Sequence, residues 1–391
     1  MLHSLFERVL LVQQDPVRNR LLVLEIQEEL IARTVRTEGA IRQTKKSIKA
    51  FRQEIRAVSR DDRRVRGISG QLKLRQSLLA SNQDYLEILR TIGDALAFIF
   101  GDRFDLKPLA FREAPGFIGG KRGARLERAM LRIAFEQGHV AILNDLTHTL
   151  RHGDVTVFNS DGTFRLFEAK SGRGGDYARN KRQLEATQSM AKYLVTDVRE
   201  EEGGVWQRVA VNATPTDHSA FVTNALQHLP PAGWSLTEVE PGLHYLLIDC
   251  AIGSLNEEMF SGLDRSKPVE LISVNDMKYE RMGYMPFPLL IRDANLLCRF
   301  YTGQLVINIL VGLDRVNELL SRHGLSITFG DDPYMHWKVH DDSGAKYESF
   351  VSAHFVGRLA AEFVKLEWLV ENIAVTQGAF RDMVQIRQNQ V

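Results

Sequence analysis

The sequence predicts an α+β protein of several domains: an N-terminal antiparallel helical hairpin, an α/β core and a C-terminal α/β accessory region. Its 391 residues exceed the usual length of one domain. The first hundred residues carry an almost continuous helical pattern, and short strands and helices are mixed after residue 123. We therefore expect domains at 1–100, 101–215 and 216–391, the last of unassigned fold.

The N-terminal region is predicted to form two long helices. Ile41, Ile48 and Ile55 recur every seven residues, as in a coiled coil. A charged, glycine-containing break at about 59–70 precedes a second helical pattern that runs from about residue 71 to Phe100. Two long helices joined by a short turn form an antiparallel hairpin.

Charge is distributed unevenly along the chain. Residues 42–75 carry a net charge of +9, whereas the rest of the chain carries −8. Four basic residues of this segment recur at three- and four-residue steps and share one helix face: Lys45, Lys49, Arg52 and Arg56. Such a stripe fits contact with DNA phosphates, and it fits contact with an acidic partner or self-association through the hairpin about equally well.

Absent sequence features exclude several classes. Two cysteines are too few for a disulfide framework, and the chain has no secretory signal or membrane-length apolar segment, so we expect a cytoplasmic protein with no membrane partner. No Gly-x-x-x-x-Gly-Lys-Ser/Thr sequence is present, so a partner ATPase or sensor protein would have to be a separate chain.

The elements of the middle region follow the order helix, three strands, helix, strand. They are expected at Ala124–Gln137, His139–Leu150, Gly153–Asn159, Thr163–Lys170, Tyr177–Val198 and Val205–Ala213. In the last region we expect several strands between 234 and 276, and helices at Ser219–His228, Leu297–His323 and Tyr347–Gln377.

The turn between the second and third strands determines which side chains share a face. If Ser160-Asp161-Gly162 forms a three-residue loop with Gly162 in the left-handed region, Phe158 lies opposite Phe164. The same register puts Asp154 opposite Glu168, with Lys170 further along that face. A two-residue loop would instead turn Asp154 to the other face.

Two adjacent carboxylates and a lysine are the groups that metal-assisted phosphodiester hydrolysis needs. The carboxylates repel each other unless a cation lies between them, and oxygen ligands of this kind suit Mg²⁺, or Mn²⁺ in its place. The lysine can orient the attacking water and offset charge on the phosphate. Glu127 on the preceding helix could complete the acidic group. The alternative is a solvated face on which Lys170 and Arg165 neutralise the carboxylates.

Glu127, Gly153-Asp154 and Glu168-Ala169-Lys170, in this element order, resemble the PD-(D/E)xK nuclease superfamily over about residues 117–215. The resemblance implies a restriction-endonuclease-like core in which Asp154, Glu168 and the Ala169 carbonyl bind the metal. It also implies that Lys170 is the catalytic lysine and Glu127 the helix acid. Gly153 stands where the motif has proline, and the Gln-x-x-x-Tyr pattern of RecB-type exonucleases is missing, so the subfamily stays open.

Basic residues surround this candidate site and suit a phosphate backbone: Lys121, Arg122, Arg125, Arg151, Arg173 and Lys181. We therefore expect a Mg²⁺-dependent endonuclease that acts on DNA, with restriction or anti-phage defence suggested by analogy only. The alternative is a non-catalytic DNA-binding or scaffold protein with a degenerate nuclease fold. A second acid-x-Lys triplet, Asp276-Met277-Lys278, lacks an upstream acid on a neighbouring hairpin.

Overall fold

A computed structural model describes residues 2–57, 64–110, 116–121, 123–169, 177–201, 204–208, 215–253, 257–264, 266–279, 283–332, 335–341 and 349–388. The chain is mixed α+β, with an N-terminal helix pair and several antiparallel sheets, as the sequence predicts. It divides into two compact units. The first unit is Glu7–Leu194, and the second unit combines Met1–Phe6 with Val195–Val391. The boundaries expected at 100 and 215 do not coincide with this division.

The first unit contains the long helices and one sheet. Its helices are α1 (Leu2–Gln14, which begins in the second unit), α2 (Arg20–Ala57), α3 (Arg64–Phe100), α4 (Arg103–Leu106), α5 (Ala124–Glu136) and α6 (Tyr177–Thr196, which ends in the second unit). Its strands are β1 (Val140–Leu143), β2 (Val155–Phe158) and β3 (Phe164–Phe167), joined in that order as an antiparallel sheet.

Helices α2 and α3 form the helical hairpin. Ile41 and Ile48 of the seven-residue repeat are buried, and Ile55 is half-buried near the end of α2. In the C-terminal part of α3, every residue from Leu86 to Phe98 except Glu87 is buried, whereas Leu74 is exposed in its first half. The hairpin therefore packs on the rest of the unit through one end and leaves its other end largely exposed.

Buried polar side chains join the hairpin to the rest of the first unit. The Gln27 side chain donates to the Ala141 carbonyl and accepts from the Leu143 N–H, so it provides hydrogen-bond partners for two backbone groups of β1. Asp94 on α3 accepts from the His148 and Thr149 N–H groups. These bonds are the physical reason why the hairpin and the residues after 101 belong to one unit.

The register predicted for β2 and β3 is confirmed. Phe158 pairs with Phe164 and Val155 with Phe167. The Asn159 N–H donates to the Thr163 carbonyl at 2.8 Å, and Gly162 has a φ of +83°. The three-residue loop therefore forms because a glycine supplies its left-handed position.

Two strand predictions in this region differ from the structure. The strand expected at His139–Leu150 ends at Leu143, because Asn144–Leu146 forms a 3-10 turn. The strand expected at Val205–Ala213 is β5 (Gly204–Gln207), which pairs with β4 (Val198–Glu201) in a separate two-stranded sheet. Among the described residues, the fourth strand of the predicted order thus does not join the β1–β2–β3 sheet.

The second unit is built around two further sheets. After α7 (Ser219–Gln227), strands β6 (Trp234–Glu240), β7 (Leu243–Asp249), β8 (Val269–Ser273) and β9 (Leu305–Gly312) form an antiparallel sheet in the order β6-β7-β9-β8. Helices α8 (Phe287–Leu290) and α9 (Ala294–Tyr301) precede β9, and α10 (Leu313–Ser321) follows it. Strands β10 (Leu325–Asp332), β11 (Met335–Asp341) and β12 (Ser349–Ser352) form the second sheet. The short helices α11 (Ala353–Val356) and α12 (Arg358–Ala361) lead to α13 (Leu366–Gln388).

The helices expected at Leu297–His323 and Tyr347–Gln377 are wrong in part. The first span is helix, strand and helix, because β9 lies inside the sheet between β7 and β8. The second contains β12 and two short helices before α13 begins at Leu366. The helix at Ser219–His228 and the strands between 234 and 276 are confirmed.

None of the helices in the described part of the chain combines the length and apolar character that crossing a membrane requires.

Candidate functional site

Three carboxylates of the first unit surround one lysine. The Lys121 Nζ lies 2.9 Å from Glu127 Oε1, 2.8 Å from Asp145 Oδ2 and 3.0 Å from Asp154 Oδ1. We call Glu127, Asp145 and Asp154 the acid cluster. Three carboxylates against one ammonium leave this group with a formal excess of two negative charges when all are ionised.

Three separate elements bring the acid cluster together. Glu127 lies in the first turn of α5, and Asp145 lies in the 3-10 turn directly after β1. Asp154 lies directly before β2 and donates its N–H to the Phe167 carbonyl. The side chain of Asn144 fixes the turn between them, since it donates to the His152 carbonyl and accepts from the Thr156 hydroxyl.

Asp154 also contacts the segment that carries the predicted metal ligands. Its Oδ2 accepts from the Ala169 N–H at 2.8 Å, so one oxygen of this carboxylate faces Lys121 and the other faces the end of β3. Glu168 is half-buried and follows β3 directly. Lys170 lies outside the described residues. The predicted neighbourhood of Asp154 and the Glu168-Ala169 segment is therefore present in the backbone, and the placement of the catalytic lysine stays a prediction.

Burial makes Glu127 the most unusual member of the acid cluster. The residue is 1% exposed, and its Oε2 has no hydrogen-bond partner among the described residues. Burial raises the pKa of Glu127, and Lys121 offsets this only in part while Asp154 and Asp145 add to it. Burial alone would lower the pKa of Lys121, but Asp145 and the other two carboxylates raise it well above its usual value. Lys121 is therefore a fixed positive charge at neutral pH.

Lys121 is positioned by a residue of the hairpin. Glu38 on α2 is fully buried and accepts from the Ile118 and Gly119 N–H groups at 2.9 and 2.7 Å. Arg42 donates to the Gly119 carbonyl, and its guanidinium lies over the Phe117 ring. The loop before Lys121 is thus attached to α2 through the N–H groups of Ile118 and Gly119 and through the Gly119 carbonyl.

The other basic residues predicted to contact nucleic acid are spread along the first unit. Arg125 is exposed on α5, and Arg151 is half-buried. Lys181 lies within α6, and Arg122 and Arg173 lie outside the described residues. The stripe of Lys45, Lys49, Arg52 and Arg56 is exposed along α2.

Comparison with known proteins gives no relative for this chain. No family model, curated protein or solved structure matches it. The resemblance to the PD-(D/E)xK superfamily therefore stays a prediction from the sequence.

The acid cluster suits a divalent cation in chemistry but not in its present spacing. Carboxylate oxygens are the ligands that Mg²⁺ prefers, and no described residue donates a hydrogen bond to the buried Glu127 Oε2. Among the described residues, however, no three Asp, Glu, His or Cys side chains are already arranged as a metal site. The Lys121 ammonium lies 2.8–3.0 Å from one oxygen of each carboxylate, whereas Mg²⁺ binds oxygen at about 2.0–2.1 Å. The oxygen donors therefore suit Mg²⁺ in their chemistry, and their present spacing suits an ammonium.

Sequence reasoning missed two features of this site. Asp145 was hidden inside a predicted strand, although Asn144-Asp145 is a pair of turn-forming residues that could have ended that strand. The ion pairs of Lys121 with three carboxylates were not predicted either, and its predicted contact with nucleic acid stays a prediction.

The second acid-x-Lys triplet lies in the second unit and belongs to its packing. Lys278 is 7% exposed, and its ammonium lies 4.6 Å from the centre of the Phe300 ring. Burial lowers the pKa of Lys278 to about 8.

Proposed function

We propose that this protein is a Mg²⁺-dependent endonuclease that hydrolyses phosphodiester bonds of DNA. The observation that carries the proposal is the buried Glu127 Oε2, which has no hydrogen-bond partner in the described part of the chain and belongs to the same cluster as Asp154. A buried carboxylate oxygen without a donor is costly, and a cation would satisfy it. A role in restriction or anti-phage defence is proposed by analogy alone.

Each residue of the motif has a stated part in this proposal. Asp154, Glu168 and the Ala169 carbonyl hold the cation, with Glu127 as the helix acid. The Ala169 N–H fixes one oxygen of Asp154, which orients the carboxylate before any ligand arrives. Lys170 orients the attacking water and offsets negative charge on the scissile phosphate. The cation itself, Mg²⁺ or Mn²⁺ in its place, would lower the pKa of a bound water and neutralise the phosphate.

DNA would be held by distributed positive charge. Arg125 is exposed beside the acid cluster on α5, and the α2 stripe offers four exposed cations in a row. Contacts of this kind bind phosphates without reading sequence. The hairpin is also proposed to mediate self-association, and a partner ATPase or sensor protein would be a separate chain.

Two observations favour a second candidate, a non-catalytic DNA-binding or scaffold protein with a degenerate nuclease fold. Lys121 already neutralises part of the acid cluster, as expected of a site that no longer needs a cation. In addition, β4 and β5 form their own sheet and do not extend the β1–β2–β3 sheet. Both candidates bind DNA, so only a measurement of cleavage separates them.

The experiment is cleavage of supercoiled plasmid by the full-length chain with Mg²⁺, with Mn²⁺ and with EDTA. We expect cleavage by the wild type only when a divalent cation is present. Asp154→Asn, Glu168→Gln and Lys170→Ala should each lower the rate by at least about a hundredfold, since the first two remove cation ligands and the third removes the lysine that acts on the scissile phosphate.

The matched control is Glu136→Gln, which removes an exposed carboxylate from the last turn of α5. This variant should cleave like the wild type. Cleavage by Asp154→Asn and Glu168→Gln at the wild-type rate would refute the mechanism. DNA binding without cleavage in any of the three conditions would favour the second candidate.

A further inference from the structure

The side chain of Lys121 takes the place that a cation would take in the acid cluster. Its single ammonium contacts one oxygen of each of three carboxylates, all at 2.8–3.0 Å. One of these carboxylates, Glu127, also carries the buried Oε2, for which the described residues supply no hydrogen-bond donor. The cluster therefore still has an unused ligand oxygen while the ammonium is bound.

We infer that Lys121 and a divalent cation compete for the same carboxylates, and that metal binding releases the lysine to bind a substrate phosphate. This inference rests on the proposed function and adds a regulatory step to that site. A cation bound to Asp154 Oδ1 or Glu127 Oε1 would use the oxygens that now accept from Lys121. The Lys121 ammonium and the divalent cation cannot both contact these oxygens, because two positive charges at such a short distance repel each other.

The balance of charge favours the exchange. The acid cluster carries three negative charges when all its carboxylates are ionised, and one ammonium neutralises only one of them. A divalent cation neutralises two, and it draws the oxygens closer than an ammonium does. Lys121 thus acts as a temporary counter-ion that keeps the carboxylates together before the metal arrives.

The backbone around Lys121 allows its side chain to leave while the loop stays attached. Glu38 holds the loop through Ile118 and Gly119, and the Lys121 N–H donates to the Ile118 carbonyl. The Lys121 side chain is 32% exposed, so its ammonium is already partly in contact with solvent. A rotation of this flexible four-carbon chain is therefore enough to move the ammonium from the carboxylates to a phosphate oxygen.

The direct test is the affinity of the full-length chain for Mn²⁺, measured by calorimetric or EPR titration without nucleic acid. Lys121→Met removes the competing charge and keeps the length of the side chain. We expect this variant to bind Mn²⁺ at least about tenfold more tightly than the wild type, because no ion pairs need to break.

The control is Arg125→Met, which removes one positive charge from an exposed position near the cluster. Its affinity for Mn²⁺ should change by less than about twofold, since its charge is screened by solvent. Equal affinity of Lys121→Met and the wild type would overturn the competition and leave the proposed function standing. Mn²⁺ binding by neither protein would overturn both, and the plasmid assay would then show no metal-dependent cleavage.

A second measurement uses the wild-type chain and does not depend on how the variant folds. Acetylation of individual lysines is followed by mass spectrometry with and without Mg²⁺. Lys121 should react at least about fivefold faster with Mg²⁺, since its amine leaves the carboxylates, and the exposed Lys45 should react at the same rate in both conditions. An unchanged rate for Lys121 at a Mg²⁺ concentration that saturates the chain would overturn the inference.

Discussion

Gly153 explains why this chain departs from the proline of the PD-(D/E)xK motif. Its φ is +78°, a conformation that proline cannot adopt because its ring fixes φ near −65°. A Cβ at this position would also lie 3.0 Å from the Phe167 carbonyl oxygen. Glycine therefore lets the chain pass close to β3 before Asp154 enters the acid cluster.

Replacing Gly153 by alanine tests this interpretation. We expect Gly153→Ala to lower the free energy of unfolding by about 1–3 kcal/mol, because the new methyl group meets backbone atoms in a strained conformation. Urea denaturation followed by circular dichroism measures the change. Gly116→Ala is the matched control, since its Cβ would have no neighbour within 4 Å, and its stability should remain close to that of the wild type. Equal stability of the two variants would contradict this explanation of Gly153.

The site residues differ in how far the sequence could predict them. Asp154 and Glu168 could be predicted to lie near each other because a short hairpin relates them through a local register. Asp145 and Lys121 join the same site through tertiary packing of a turn and a loop, and no short-range pattern connects them. Glu38 contacts the loop before Lys121 but lies 83 residues before Lys121 in the chain, so no short-range pattern predicts its role either.

At the level of elements, α2 serves two purposes on its two faces. Its buried face holds the sheet through Gln27 and the loop through Glu38, whereas its exposed face carries the basic stripe. The two faces are separate, so the stripe can be changed without loss of the helix.

Reversing the charge of the stripe tests whether it binds DNA. In the variant Lys45→Glu, Lys49→Glu, Arg52→Glu, Arg56→Glu, we expect affinity for DNA to fall equally for unrelated sequences. The dependence of the binding constant on salt should also become weaker, because fewer counterions are released. Fluorescence anisotropy at several salt concentrations measures both effects.

Two other outcomes would assign the stripe differently. A changed oligomeric state in sedimentation, with little loss of DNA affinity, would assign it to self-association. An unchanged oligomeric state and an unchanged salt dependence would mean that the stripe is only a solvated surface. Circular dichroism serves as the control, since Ile41 and Ile48 on the buried face are untouched.

Helix α13 depends on a carboxylate at its N-terminus. Glu240 of β6 accepts from the Leu366 N–H at 2.6 Å and contacts His218 Nε2 at 3.0 Å. Burial alone would raise the pKa of Glu240, but the hydrogen bonds from His218 and Leu366 bring it below its usual value. The ionised carboxylate therefore stabilises the second unit.

The lowered pKa of Glu240 predicts the direction in which the stability of the protein changes with pH. Its stabilising effect is complete above the ordinary pKa of 4.5 and is lost as the pH falls through the lower value of the folded state. Glu240→Gln should thus be less stable than the wild type at pH 7, and the difference should shrink below about pH 4.5. Denaturant titrations from pH 7 to pH 3 measure it. The control is Glu371→Gln, at an exposed position on α13, and its stability should change with pH as that of the wild type does. A stability difference between Glu240→Gln and the wild type that stays constant at all pH values would contradict this explanation.

The elements of the second unit were harder to predict than those of the first. Leu305–Gly312 is an apolar run interrupted only by Asn308, and its hydrophobic pattern is compatible with a buried helix and with an inner strand. This segment is a strand because it pairs with β7 and β8, and both strands are far away in the sequence. The β2–β3 hairpin has polar turn residues and local pairing, so its structure could be predicted.

For the whole molecule, every residue proposed for the chemistry falls within Glu7–Leu194. The segment 42–75, with net charge +9, also falls within these bounds, while the remainder of the chain carries −8. Nucleic acid and an acidic protein surface would both complement this segment, and the stripe variant distinguishes them.

The central claim is that the acid cluster is a divalent cation site from which Lys121 is displaced. The most direct measurement is anomalous diffraction from crystals of the full-length protein soaked in Mn²⁺. We predict a peak within about 2.5 Å of the Asp154 carboxylate, with the Lys121 ammonium no longer between the three carboxylates. Crystals that bind Mn²⁺ elsewhere, or not at all, while Lys121 keeps its contacts with Glu127, Asp145 and Asp154, would contradict the account.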